Sequence, residues 1–129
     1  MSQTYEFQCE TFFVATISEN NPAVRPFGAV MEFEEALYFS TANTKAVYLQ
    51  FKSNPAIQII ALKSGTREWI RINGNVVEID DLDMKQKMLD ECPSLSKRFD
   101  SNKSENFALF KLTEMTSALN INGEFTELT

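Results

Sequence analysis

From Thr11 onward the chain is cut into short apolar runs of strand-like period, separated by clusters of turn residues too short to hold a crossover. That pattern leaves antiparallel pairing as the main way to build a sheet, because a parallel pair needs a connection of a dozen residues or more. The first run, Thr11-Phe12-Phe13-Val14-Ala15-Thr16-Ile17, is bounded by Ser18-Glu19-Asn20-Asn21-Pro22. A second strand is expected over Ala23 to Phe33 and a third over Ala36 to Ser40, with Glu34-Glu35 as the hairpin turn. Further on, Ile57, Ile59 and Ala61 alternate with Gln58, Ile60 and Leu62. After the turn Ser64-Gly65-Thr66, a long strand is expected from Arg67 to Ile79. Trp69, Arg71 and Asn73 share one of its faces, and Ile70, Ile72 and Gly74 the other. Strand-like segments at Phe107 to Leu112 and Ser117 to Ile121 close the pattern before a turn at Asn122-Gly123.

Two segments break the period. Val47, Tyr48 and Phe51 stand at helical spacing within Thr44 to Lys52, with Thr41, Asn43 or Thr44 as candidate caps and Asn54-Pro55 as the stop. Asp80 to Glu91 opens on acidic residues, which suits the positive end of a helix dipole, and Pro93-Ser94-Leu95 begins a further short turn of helix. A polar loop follows at Asp100 to Glu105. The expected fold class is α+β, mainly β: an antiparallel barrel of about six strands with a few peripheral helices. The 129 residues, with no linker or repeat among them, are expected to form a single domain over 1–129. An apolar fraction of 43% with eleven phenylalanines is enough for one sizeable core.

Charge and composition remove several functions. Eighteen acidic against twelve basic residues give a net charge of −6, so no broad basic surface is available for nucleic acid. With two cysteines, Cys9 and Cys92, and no histidine, neither a disulfide framework nor a zinc site is expected. Ser-His-Asp and Cys-His hydrolases are excluded for the same reason. The opening residues Met1 to Glu6 lack the basic start and apolar run of a signal peptide, and no stretch approaches the length of a membrane span. A cytoplasmic protein without membrane contact is the expectation. Chemistry near neutral pH then falls to a perturbed carboxylate, lysine or cysteine, or more simply to a bound cofactor.

Three segments are candidates for holding one. Arg25-Pro26-Phe27-Gly28 is odd for a plain strand: proline gives the ladder no donor, glycine admits close approach, and arginine offers forked donors suited to phosphate. It reads either as a bulged edge strand with a surface arginine or as a ligand site. Phe39-Ser40-Thr41-Ala42-Asn43-Thr44-Lys45 runs from a strand end to a helix start, with hydroxyls, free N–H groups and a lysine. It is either an anion site or an ordinary capped helix. Trp69, beside Arg71 and Asn73, either fills a core or faces a ligand.

Taken in order, Phe13-Val14-Ala15-Thr16, Val24-Arg25-Pro26-Phe27-Gly28, Leu37-Tyr38-Phe39-Ser40-Thr41, Lys45-Ala46-Val47-Tyr48, Ser53-Asn54-Pro55 and Trp69-Ile70-Arg71-Ile72-Asn73-Gly74 resemble the pyridoxamine-phosphate-oxidase-like FMN-binding split barrels. The likeness runs from about Thr11 to Ile121 and is similar in particular to the short branch of nitroimidazole-resistance (Nim-type) proteins. The resemblance implies a split barrel and a homodimer with two FMN sites at the subunit interface. It implies that Arg25 and Lys45 hold the FMN phosphate, with Ser40, Thr41 and Thr44 adding hydrogen bonds. The backbone of Arg25, Pro26, Phe27, Gly28, Ala29 and Val30 would run beside the isoalloxazine ring, with Trp69 near it and with Phe27 and Trp69 covering its face.

The activity so implied is an FMN-dependent reductase passing electrons from a nicotinamide donor, NAD(P)H, to a small electron-poor acceptor such as a nitro compound or quinone. In that scheme the flavin carries the chemistry and no side chain is the catalyst. The alternative is a non-catalytic protein binding flavin, deazaflavin or haem. True pyridoxamine-phosphate oxidases are longer, with a C-terminal segment that supplies further flavin and substrate contacts, so oxidation of a B6 vitamer is not the expectation. A third alternative is a small barrel for apolar ligands.

Overall fold

The computed structural model describes residues 12–63 and 65–128. The opening residues with Cys9, the Thr11 end of the first expected strand and Ser64 of the expected turn lie outside them. Eight strands and two α-helices follow in the order β1 (Phe12–Ser18), β2 (Asn21–Phe27), β3 (Val30–Phe33), β4 (Ala36–Ala42), α1 (Ala46–Ser53), β5 (Ala56–Leu62), β6 (Trp69–Ile79), α2 (Leu82–Glu91), β7 (Phe107–Ile121) and β8 (Glu124–Glu127). A short 3₁₀ helix, Pro93–Lys97, follows α2. The protein is mainly β with antiparallel pairing throughout, as its period-two runs predict.

The strand order across the sheet is β2-β1-β5-β6-β7-β4-β3, with β8 paired to the far half of β7. β2 and β3 are neighbours in the chain yet stand at opposite ends of this path, so the barrel is split rather than closed. The single strand expected over Ala23 to Phe33 is therefore two strands. The chain leaves one edge of the sheet at Phe27, crosses through Gly28-Ala29 and joins the other edge at Val30. A strand pattern looks the same on both sides of such a crossing, because the side chains before and after it both face the core.

A similar reason separates the expected pair of C-terminal strands from the one continuous β7. Residues 113–116 of β7 face only Asn73 to Asn75 of β6, a bulge that shifts the register, and Glu114 takes a left-handed φ of 53° there. The bulge breaks the alternation, and the run reads as two. Gly74 lies opposite it, where a Cβ would come within 2.7 Å of Leu112 Cδ1 and 2.8 Å of the Thr113 carbonyl oxygen. The turn at Glu34-Glu35 is as expected, with both residues at positive φ (50° and 64°), the geometry of a two-residue hairpin that matches strand twist.

Burial follows the faces. Phe12 and Val14 of β1, Ile57 and Ile59 of β5, and Ile70 and Ile72 of β6 fill the barrel, together with Phe39 of β4 and Phe51 of α1. A second core lies on the other side of β3, β4 and β7, where Met88, Leu95 and Phe99 cover Met31, Tyr38 and Leu109. β4 is buried on both faces as a result, which explains its unbroken run of apolar and hydroxyl residues.

Both helices end as the sequence suggests, and α2 also starts as it suggests, but α1 does not. Asp81 caps α2, accepting from the N–H groups of Asp83 and Met84. The residue at the N-cap of α1 is Lys45, in extended conformation and with no side-chain cap, rather than Thr41, Asn43 or Thr44. Thr41 is committed to β4, while Asn43 turns away to donate from Nδ2 to the Glu105 carbonyl (3.0 Å). The first N–H groups of α1 are left without a side-chain acceptor.

Candidate functional site

The split in the barrel opens into a cleft of about 320 Å³, at the small end of the range typical of small-molecule sites. One wall is the crossing itself, Arg25-Pro26-Phe27-Gly28-Ala29. A second is the end of β4 and the start of α1, with Ser40, Thr41, Lys45 and Val47. A third is the 3₁₀ helix and the residue after it, with Ser94, Leu95, Lys97 and Arg98. Among the described residues, four cations and no carboxylate line the cleft, in a chain whose net charge is −6.

Arg25 is held from below. Its Nη1 donates to the Val14 carbonyl (3.2 Å) and its Nη2 to Oε1 of Gln50 on α1. Burial pulls its affinity for a proton below the ordinary arginine value, although a guanidinium stays charged at any physiological pH. Ser40 supplies the sharpest feature. Its residue is 7% exposed, it faces the cleft, and its Oγ has no hydrogen-bond partner. A buried hydroxyl without a partner costs about 1–3 kcal/mol, so a site that keeps one has an acceptor or donor to offer it when a ligand is bound. Gly28 adds room: a Cβ there would meet nothing within 4 Å.

These features suit a phosphorylated flavin. A phosphate calls for cations, hydroxyls and unpaired N–H groups, and Arg25, Lys45, Ser40, Thr41 and the uncapped start of α1 provide them on adjoining walls. A flat ring needs a glycine-lined backbone edge, and Gly28-Ala29 is one. Among the described residues there is no cluster of three metal-ligating side chains, and no helix is long and apolar enough to cross a membrane.

Of the residues the sequence singled out, Arg25, Pro26, Phe27, Gly28, Ala29, Ser40, Thr41 and Lys45 come together on this cleft. Three others do not line it. Val30 begins β3 and turns into the barrel core at 2% exposure. Thr44 is exposed one residue before the α1 cap. Trp69 stands on the outer face of β6, its ring edge-on to Phe125 of β8 at 5.3 Å, with the Arg71 guanidinium over both rings. Phe27 reaches the cleft but is only 9% exposed, because its ring packs among Phe12, Phe39 and Phe51. It supports the wall rather than offering a free aromatic face.

Sequence reasoning missed the third wall. Lys97 and Arg98 sit in a stretch of mixed charge with no local pattern, and only the packing of Leu95 and Phe99 beneath them turns that stretch toward the cleft. It missed Gln50 as well. The one available signal was a polar residue on the helix one step before buried Phe51.

Comparison with known proteins agrees with this architecture. The family pattern of pyridoxamine 5'-phosphate oxidase matches residues 3–117. No curated protein matches the chain. Among solved structures, a NimC/NimA family protein from Clostridium acetobutylicum is 33% identical, with a TM-score of 0.84 over 93% of this chain and 83% of that one. General Stress Protein 26 from Bacillus anthracis shares 19% identity at a TM-score of 0.76, over 92% of this chain and 88% of that one. A pyridoxamine 5'-phosphate oxidase-related, FMN-binding protein from Nostoc punctiforme shares 20% at 0.63, over 91% and 85%. With most of its length matched by the family pattern and a third of its residues shared with a NimC/NimA protein, this chain belongs to the pyridoxamine 5'-phosphate oxidase family, on its short Nim-type branch.

Proposed function

We propose that the protein is an FMN-binding oxidoreductase, a reductase that takes electrons from a nicotinamide donor and delivers them to a small electron-poor acceptor such as a nitro compound or quinone. The observation that carries the reading is the orphaned Ser40 Oγ in a cleft that, among the described residues, has four cations and no carboxylate. Family membership and the FMN-binding Nostoc relative support the choice of flavin. Bound FMN would supply the two-electron chemistry.

The chain's own residues bind and orient. Arg25 and Lys45 hold the phosphate end, Ser40 and Thr41 donate to it, and the open backbone at Gly28-Ala29 lies along the ring. The ring extends beyond a cleft this small, and a second copy of the chain completes its cover. The outer sheet face offers what such a copy would pack against. Phe13 and Ile60 share a row, Leu62, Trp69, Asn120 and Phe125 form the next, and Leu62, Phe125 and Phe13 are 60%, 48% and 42% exposed. On this reading the protein is a homodimer with FMN between its subunits. All of residues 1–129 form one flavin-binding domain.

The test is the visible spectrum of purified protein after soaking in FMN and removing the excess. Flavin bands that co-elute with a dimer, and that disappear in Arg25→Ala combined with Lys45→Ala, are the expected result. A protein that stays colourless sinks the reading. Flavin reoxidised no faster by nitro or quinone acceptors than by oxygen alone would leave a flavin-binding protein without reductase activity.

A further inference from the structure

Arg25 stands on β2, an edge strand of the sheet, where a long side chain would ordinarily be free to swing. It is not free. Nη1 donates to the Val14 carbonyl and Nη2 to Oε1 of Gln50, while Thr16 Oγ1, on a residue 2% exposed, donates to that same Oε1 at 2.6 Å. A guanidinium only donates, and so must meet an oxygen. The Thr16 hydroxyl meets it from the other side, so the Gln50 amide is oriented by two independent donors.

The nature of the partners matters as much as their number. Eighteen acidic residues are available in this chain, and a carboxylate is the usual mate of an arginine. Both acceptors here are neutral. They fix the guanidinium in place and leave its full positive charge facing the cleft.

The geometry points to Gln50 as a positioning residue for the phosphate end of the site: it aims Arg25 without neutralising it. This inference rests on the reading of the cleft as an FMN site. It adds that discrimination between a phosphorylated flavin and its unphosphorylated form is set partly by a glutamine on α1. Gln50 itself does not line the cleft, and acts through Arg25.

The experiment measures the affinity for FMN and for riboflavin, which lacks the phosphate, on the full chain and on Gln50→Glu, Gln50→Ala and Arg25→Ala. Gln50→Glu places a carboxylate against Arg25. It should weaken FMN about tenfold while leaving riboflavin unchanged and the melting temperature equal or higher. Neither Gln50 variant should alter FMN affinity further once Arg25→Ala is present. A merely structural role would instead weaken both flavins together and lower the melting temperature. Unchanged FMN binding in Gln50→Glu, alongside weaker binding in Arg25→Ala, overturns the inference and leaves the flavin site standing. If the wild type ignores both flavins, the flavin reading falls, and nitrogen NMR of the Arg25 guanidinium decides the role of Gln50. Slowly rotating, distinct Nη signals that coalesce in Gln50→Ala support it, and signals indifferent to the change overturn it.

Discussion

Ser40 shows how a single residue can belong to two states of a protein. In the described structure its hydroxyl is buried and unpartnered, so removing it should do the fold no harm. We expect Ser40→Ala to leave thermal stability without ligand unchanged, or raised by about 1 kcal/mol, while FMN affinity falls about tenfold. Loss of stability with unchanged flavin binding would place the hydroxyl in the fold rather than in the site. Gly74 has the opposite character. Its missing Cβ is needed by the packing of β6 on β7, and Gly74→Ala should cost about 2 kcal/mol in chemical denaturation without touching the cleft. Both residues stood in the sequence motifs, but their roles were not equally legible there. A strand-end serine beside a helix start already suggests an anion site, whereas a strand glycine opposite a bulge shows itself only once the register is known. For Trp69 the sequence left a core role and a ligand-facing role open. Arg71 was legible on the same strand face, and the partner Phe125 was not, since β8 has no strong strand pattern of its own.

Among the elements, α1 is the part that joins the cleft to the rest of the barrel. Its outer flank is tied to β6 by Glu78, which accepts from Tyr48 Oη (2.9 Å) and pairs with Lys52 Nζ (3.0 Å). The hydrogen bond to Glu78 is the main cause raising both groups, Tyr48 above its ordinary 10.0 and Lys52 above its ordinary 10.5. A raised folded-state value means that the tie contributes fully below the unfolded values and is lost as pH rises through the folded ones. Thermal unfolding from pH 9 upward should therefore fall more steeply for the wild type than for Glu78→Gln, and parallel curves would contradict this. The helix itself was readable from Val47, Tyr48 and Phe51, and its stop from Asn54-Pro55. Its start was not, because the residues with capping side chains were claimed by β4 and by the contact of Asn43 with Glu105. Likewise, β2 and β3 read as one strand because a crossing between two edges leaves no mark on the apolar pattern.

For the molecule as a whole, the antiparallel class followed from period-two runs and short connections, whereas the order of the strands across the sheet did not. What sequence pattern alone leaves unsaid is where such a sheet fails to close, and the site lies at that place. The net charge of −6 predicts repulsion between copies, yet the cleft collects four cations and the outer sheet face collects apolar side chains. If that face joins two subunits, Phe13→Glu with Leu62→Glu should turn a dimer into a folded monomer in sedimentation analysis and release FMN with it. A dimer that survives both changes would move the interface elsewhere.

Two prolines, Pro22 and Pro26, stand on the edge strand β2 four residues apart. Alternate residues of a strand point their amides to the same side, so both gaps fall along one margin of β2, and prolines within sheets are tolerated where that margin faces solvent. A foreign strand approaching that margin finds too few donors to zip onto. Copies of this protein therefore cannot append to one another edge to edge through β2, and growth into fibres by that route is blocked.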